Sequence, residues 1–143
     1  MGYHDDVYSG IETLLVAAAP ANVPVLNVLT ASEAELDRHA QSIAVLRESI
    51  DYDPHPEIAP GTATKDQGEE WSWALYVTGG GGGARPVDRA AYVDTLLETC
   101  QTALNAQRPT TDCGPLHLVS EDYEGRDGNS VMCVQRWRHR RRA

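Results

Sequence analysis

One run of nine residues constrains this chain more than any other: Glu70-Trp-Ser-Trp-Ala-Leu-Tyr-Val-Thr78. Trp71, Trp73, Leu75 and Val77 fall on one parity, and Glu70, Ser72, Ala74 and Tyr76 on the other. A strand sends successive side chains to opposite faces, so this alternation predicts a strand with one buried face. Five glycines follow, Gly79, Gly80, Gly81, Gly82 and Gly83, then Arg85 and Pro86. Beyond them Val93, Leu96, Leu97, Cys100, Ala103 and Leu104 recur at helical spacing. Asp88 is a suitable cap for that helix, and Pro109 stops it after Arg108. The expected frame is a strand, a flexible loop over 79–87 and a helix.

The rest of the chain is arranged around that frame. Val7, Ile11, Leu14, Leu15 and Ala18 predict a first helix from Asp5 to about Ala19, ended by Pro20. Val23 to Thr30 is β-branched and apolar, and predicts a strand with Pro24 in its first residues. Ser32-Glu33-Ala34-Glu35 has the spacing of a capping box and predicts a short helix to about His39. Gln41 to Tyr52 predicts a strand whose inner face changes at a bulge. Pro54, Pro56 and Pro60 exclude regular structure after Asp53, which gives a flexible loop over 53–69. Leu116 to Tyr123 and Ser130 to Arg138 predict a hairpin, joined by the turn-forming residues Glu124 to Asn129. The fold class is α+β: a mixed, mainly antiparallel sheet of about four to five strands with two main helices packed on one face. The 143 residues make one domain, 1–143.

Charge narrows the partners. The net charge is −9, unevenly spread. Arg136, Arg138, Arg140, Arg141 and Arg142 stand in the last eight positions, and all 21 acidic residues precede them. The body therefore has 7 basic against 21 acidic residues, a balance of −14, and the end carries +5. An acidic body disfavours nucleic acid. The basic tip, 138–143, is expected to contact an acidic partner, including another copy of the chain. No basic leader runs into an apolar core at the start, and no apolar run reaches the ~18 residues of a membrane span. Cys100, Cys113 and Cys133 form no C-x-x-C pair and are expected as free thiols.

No catalytic constellation emerges from spacing. The glycine run sits where a phosphate cradle would, between strand and helix, but lacks the Lys-Ser/Thr of a P-loop and the spaced glycines of a dinucleotide site. Asp51, Asp53 and His55 alternate as ligand types without a further ligand. Cys113, His117 and Cys133 match no standard zinc spacing. The carboxylate pairs Glu69-Glu70 and Glu121-Asp122 point to opposite faces of their strands. Neither catalytic residues, nor a cofactor, nor a metal is expected. Gly79 to Gly83, Arg85, Arg136, Arg138, Arg140 and Arg141 are instead expected at an assembly surface.

Tyr92-Val93-Asp94-Thr95-Leu96-Leu97 through Leu104-Asn105, then Cys113-Gly114-Pro115-Leu116-His117-Leu118-Val119, then a strand ending near Gln135-Arg136-Trp137, resemble the small tail proteins of Mu-like and other long-tailed bacteriophages and prophages. The Trp73-Ala74-Leu75-Tyr76-Val77 strand and the first helix, Ile11-Glu12 through Leu15, fit the same layout. The resemblance covers most of the chain as architecture. It implies a tail terminator or tail-completion protein, a virion component made in the bacterial host cytoplasm. Such proteins form a homo-oligomeric, usually hexameric, ring on the major tail tube protein and meet the capsid neck or connector. DNA passes through the ring without specific binding, no membrane is involved, and the protein is not an enzyme. A head–tail connector or stopper fits the same charge and layout. A small nucleotide-binding protein or enzyme using Gly79 to Gly83 is the reading from another class.

Overall fold

The computed structural model describes residues 3–31, 41–52, 68–80, 86–127 and 130–142. Two helices and five strands follow in the order α1 (Tyr3–Ala18), β1 (Val25–Asn27), β2 (Ser42–Tyr52), β3 (Gly68–Gly80), α2 (Pro86–Leu104), β4 (His117–Asp127) and β5 (Ser130–Arg142). They form one sheet in the order β1-β2-β3-β5-β4. β1 runs parallel to β2, and every other pair is antiparallel. This is the expected α+β class with a mixed, mainly antiparallel sheet.

The sheet is organised around β3, as the alternation demands. Trp71, Trp73, Leu75 and Val77 are buried and form one cluster with Val7, Ile11 and Leu15 of α1 and with Val93, Leu96, Leu97, Cys100 and Leu104 of α2. Both helices thus cover the same face. Close approach needs small residues at two points. A side chain at Gly79 would put a Cβ 2.5 Å from Val93 Cγ2, and one at Gly10 would put it 1.9 Å from the Pro109 carbonyl oxygen. Gly79 lets α2 lie on β3, and Gly10 lets α1 cross the chain that leaves α2.

Several boundaries differ from the sequence expectation. β1 is only three residues long, because Val28 to Thr30 turn away: Thr30 N–H and Ala31 N–H both donate to the Asn27 carbonyl. α2 ends four residues before Arg108, where Ala106 takes a left-handed φ of 62° and its N–H donates to the Leu116 carbonyl. That geometry closes a helix as a glycine would. The bulge expected in β2 is present between Arg47 and Ser49. The short helix expected from Ser32 to His39 lies outside the described residues, as does 53–67. The glycine loop is shorter than expected at both ends: Gly79 and Gly80 belong to β3, and Pro86 opens α2. Gly81, Gly82, Gly83 and Arg85 lie outside the described residues.

The last strand gives the largest departure. The basic ending is not a separate tip. β5 pairs with β3 without interruption from Gly80↔Ser130 to Gly68↔Arg142. Inner residues Gln135, Trp137 and His139 are buried beside Leu75, Trp73 and Trp71. Arg136, Arg138 and Arg140 alternate onto the face without helices.

Candidate functional site

The residues that carry charge or titrate meet along β5. On its outer face Arg136 pairs with Glu48 at 3.4 Å and with Asp122 at 3.3 Å, and reaches Glu124 at 4.0 Å. Arg138 and Arg140 both approach Glu70, at 3.8 and 3.6 Å. Arg141 points to the inner side, where its guanidinium lies 3.6 Å from Glu69 and its Nε donates to Asp112 Oδ2 at 2.6 Å. The structure therefore brings four of the expected surface arginines onto one strand and engages each with carboxylates of the same chain. A strand of arginines is tolerated here because carboxylates of β2, β3, β4 and the 110–113 turn reach it, Glu70 and Glu69 directly opposite Arg140 and Arg141 and the others off-register.

Behind that ladder is a buried polar seam. Trp71 Nε1 donates to Glu69 Oε2 at 2.9 Å, Trp73 Nε1 to His139 Nε2 at 3.0 Å, and Trp137 Nε1 to Gln135 Oε1 at 3.1 Å. Gln135 Nε2 in turn donates to the Leu97 carbonyl at 3.0 Å, which ties β5 to α2. Each indole N–H thus finds an acceptor, as a buried Trp requires. The His139 ring stacks on Trp73 and lies tilted against Trp71, with centroids 6.5 and 5.7 Å away. Because Nε2 accepts, the neutral ring carries its proton on Nδ1, which finds no partner among the described residues. Burial drives the His139 pKa down to about 4. Hydrogen bonding from Thr110, assisted by Arg141, holds the Asp112 carboxyl below its ordinary value.

His139 has its Nε2 lone pair committed to the Trp73 indole. Burial pushes the Cys100 thiol up to about 12, and raises Cys113 and Cys133 as well, so none is poised as a thiolate. Among the described residues no three His, Cys, Asp or Glu side chains gather as a metal site. The register explains why Cys133 and His117 stay apart. Cys133 lies opposite Tyr123 and His117 opposite Arg138, five positions along β5. At about 3.3 Å per residue that is roughly 17 Å. Asp53 and His55 lie outside the described residues. Gly79 is buried under α2 rather than facing a ligand.

Sequence reasoning missed the inner placement of three participants, of which Arg141 was expected at an assembly surface. Glu69 shares the parity of Trp71 and Trp73 on β3, whereas the inward parity of His139 and Arg141 follows only once β5 is extended past Arg138. It also missed how exposed the long edge strand is: Tyr123 is 63% and Val119 44% accessible on β4.

No protein-family model matches the chain. No curated protein matches it at a significant level. Among solved structures, the chain is similar to one in the "Virion of native gene transfer agent (GTA) particle", with 14% identity and a TM-score of 0.52 over 96% of this chain and 92% of that one. The likeness is one of fold. It spans nearly the full length of both chains. Among the described residues no helix is long and apolar enough to cross a membrane.

Proposed function

We propose that this chain is a structural protein of a phage-like virion, a tail terminator that closes into a hexameric ring, caps the tail tube and joins it to the capsid neck. One observation carries the reading: the fold is shared, end to end, with a chain of a gene transfer agent virion. The resemblance of residues 92–119 to small phage tail proteins supports it from the sequence side. The site supports a role in assembly rather than catalysis. Its ionic groups are paired, its thiols are held protonated and its one buried histidine is locked by an indole. An acidic body suits a ring through which DNA slides without sticking.

Sedimentation velocity over a wide concentration range, with and without purified tail tubes, tests this. The expected result is a concentration-dependent hexamer that the tubes stabilise. A chain that stays monomeric at every concentration and ignores the tubes would overturn the reading. Labelled protein imaged on virions should mark the neck end of the tail. A label confined to the capsid vertex would assign the chain to a connector or stopper instead.

A further inference from the structure

We propose that copies of this chain join edge to edge, with the β4 edge of one against the β1 edge and the end of α1 of the next. The inference rests on the ring reading and specifies its interface. Among the described residues the sheet is open, with β4 and β1 as its two borders. β4 runs for eleven residues and pairs on one side with β5, whereas β1 has three residues. An open border of this length presents a row of backbone donors and acceptors that can accept a further strand.

The exposed large hydrophobic side chains cluster at these two borders. Val119 and Tyr123 stand on β4. Leu29, 59% accessible, follows β1, and Val16, 57% accessible, lies on α1, which packs against β1. Among the described residues, Tyr52 at the far end of β2 is the one such side chain that falls elsewhere.

Charge decides how the borders combine. Exposed Glu121, Asp122 and Glu124 outnumber Arg136, which reaches the last two, and leave the β4 border acidic. The chain from Thr13 to Ala31, which includes the end of α1 and all of β1, holds no charged residue. A two-fold β4–β4 contact would set these carboxylates against their own copies, and like charges across a strand pair are destabilising. The bulges at Leu118/Ser120 and Tyr123/Gly125 further disfavour a flat, self-matching edge. The neutral β1 border imposes no such repulsion. A β4-to-β1 contact is heterologous: each copy keeps one used and one unused border, so the contact repeats until the ring closes.

Leu29→Glu and Tyr123→Glu test this, because each adds a negative charge at one border on an exposed side chain. Sedimentation velocity reads assembly, and near-ultraviolet circular dichroism checks that each variant is folded. Each variant alone should assemble at least about tenfold more weakly than the unmodified chain. An equimolar mixture should form one-to-one dimers and no rings, because the intact β4 of the first variant meets the intact β1 of the second. Leu29→Lys, facing carboxylates, should assemble at least as well as the unmodified chain. If either Glu variant still forms full rings, or the mixture stays monomeric, the edge assignment is wrong while the ring reading stands. If the unmodified chain never assembles, the ring reading fails, and the interface with it.

Discussion

The buried imidazole of His139 makes stability depend on pH in a way that can be worked out in advance. In the folded chain its pKa is lowered to about 4, chiefly by burial. In the unfolded chain a histidine titrates near 6.5. Between those values the unfolded state binds a proton that the folded state refuses, so acid favours unfolding. The stabilisation is complete above about pH 6.5, is lost progressively as pH falls, and levels off below about pH 4. Between pH 7 and pH 4.5 the two pKa values give a loss of about 2–3 kcal/mol from this one residue. Arg141 on β5, Asp112 in the 110–113 turn and His117 on β4 also act electrostatically on the His139 ring. A difference measurement isolates the contribution of the ring. His139→Gln keeps an acceptor for Trp73 Nε1 and does not titrate. Urea melts of both proteins at pH 7 and pH 4.5 should show the unmodified chain losing about 2–3 kcal/mol more than the variant over that interval. Parallel losses in the two proteins, or a His139 ring proton that titrates near 6.5 by NMR, would show that the ring is not held neutral by the fold.

Two further outcomes follow from the packing and the charge ladder. Gly10→Ala forces a methyl group onto the Pro109 carbonyl, and should destabilise by about 1–3 kcal/mol or more in the same melts, because backbone rather than a flexible side chain must yield. A change below about 0.5 kcal/mol would mean that α1 and the 109 turn do not meet this closely. Glu69→Gln retains an acceptor for Trp71 but removes the charge opposite the largely buried Arg141, and should lose about 1–3 kcal/mol. Glu70→Gln, on the outer face with half-exposed Arg138 and Arg140, should lose less than about 1 kcal/mol. Equal losses for the two would contradict the inner and outer placement of this pair.

The frame of the fold was legible because it is written in periodicity. The alternation of Trp71, Trp73, Leu75 and Val77 and the stripe from Val93 to Leu104 are local signals, and both lead to buried residues. Three features were not legible, two of them because they depend on partners distant in sequence and one because a local turn overrides strand propensity. The residues after Arg138 read as a basic tip reaching for an acidic partner, since nothing in that run favours a strand. Cross-strand Glu69 and Glu70 and the close approach of Gly114 N–H to the Arg140 carbonyl, 2.6 Å, hold it in the sheet. Val28 to Thr30 read as strand by β-propensity, but Val28 N–H still bonds to β2, at Val45, while Asn27 accepts from the Leu29 and Thr30 N–H groups in a turn. Gly79 read as loop because it begins a glycine run; its role is set by Val93, fourteen residues on. The candidate interface shows the same limit. Which arginines meet carboxylates, and which border of the sheet is left open, are properties of strand order, and strand order is not a local property of the sequence.

The placement of the tryptophans gives the molecule two independent optical reporters. Trp71, Trp73 and Trp137 are all at most 2% accessible and lie on the helix-covered side of the sheet, and the chain has no Phe. Indole emission therefore follows the integrity of this one core and is insulated from events at the borders. Tyr123 is the reverse, an exposed ring on the border strand, remote from the stacked indoles. Subunits that dock by their edges should leave the tryptophan spectrum unchanged while altering tyrosine exposure, whereas unfolding must shift the indoles. Assembly and folding can then be followed separately in one unlabelled sample.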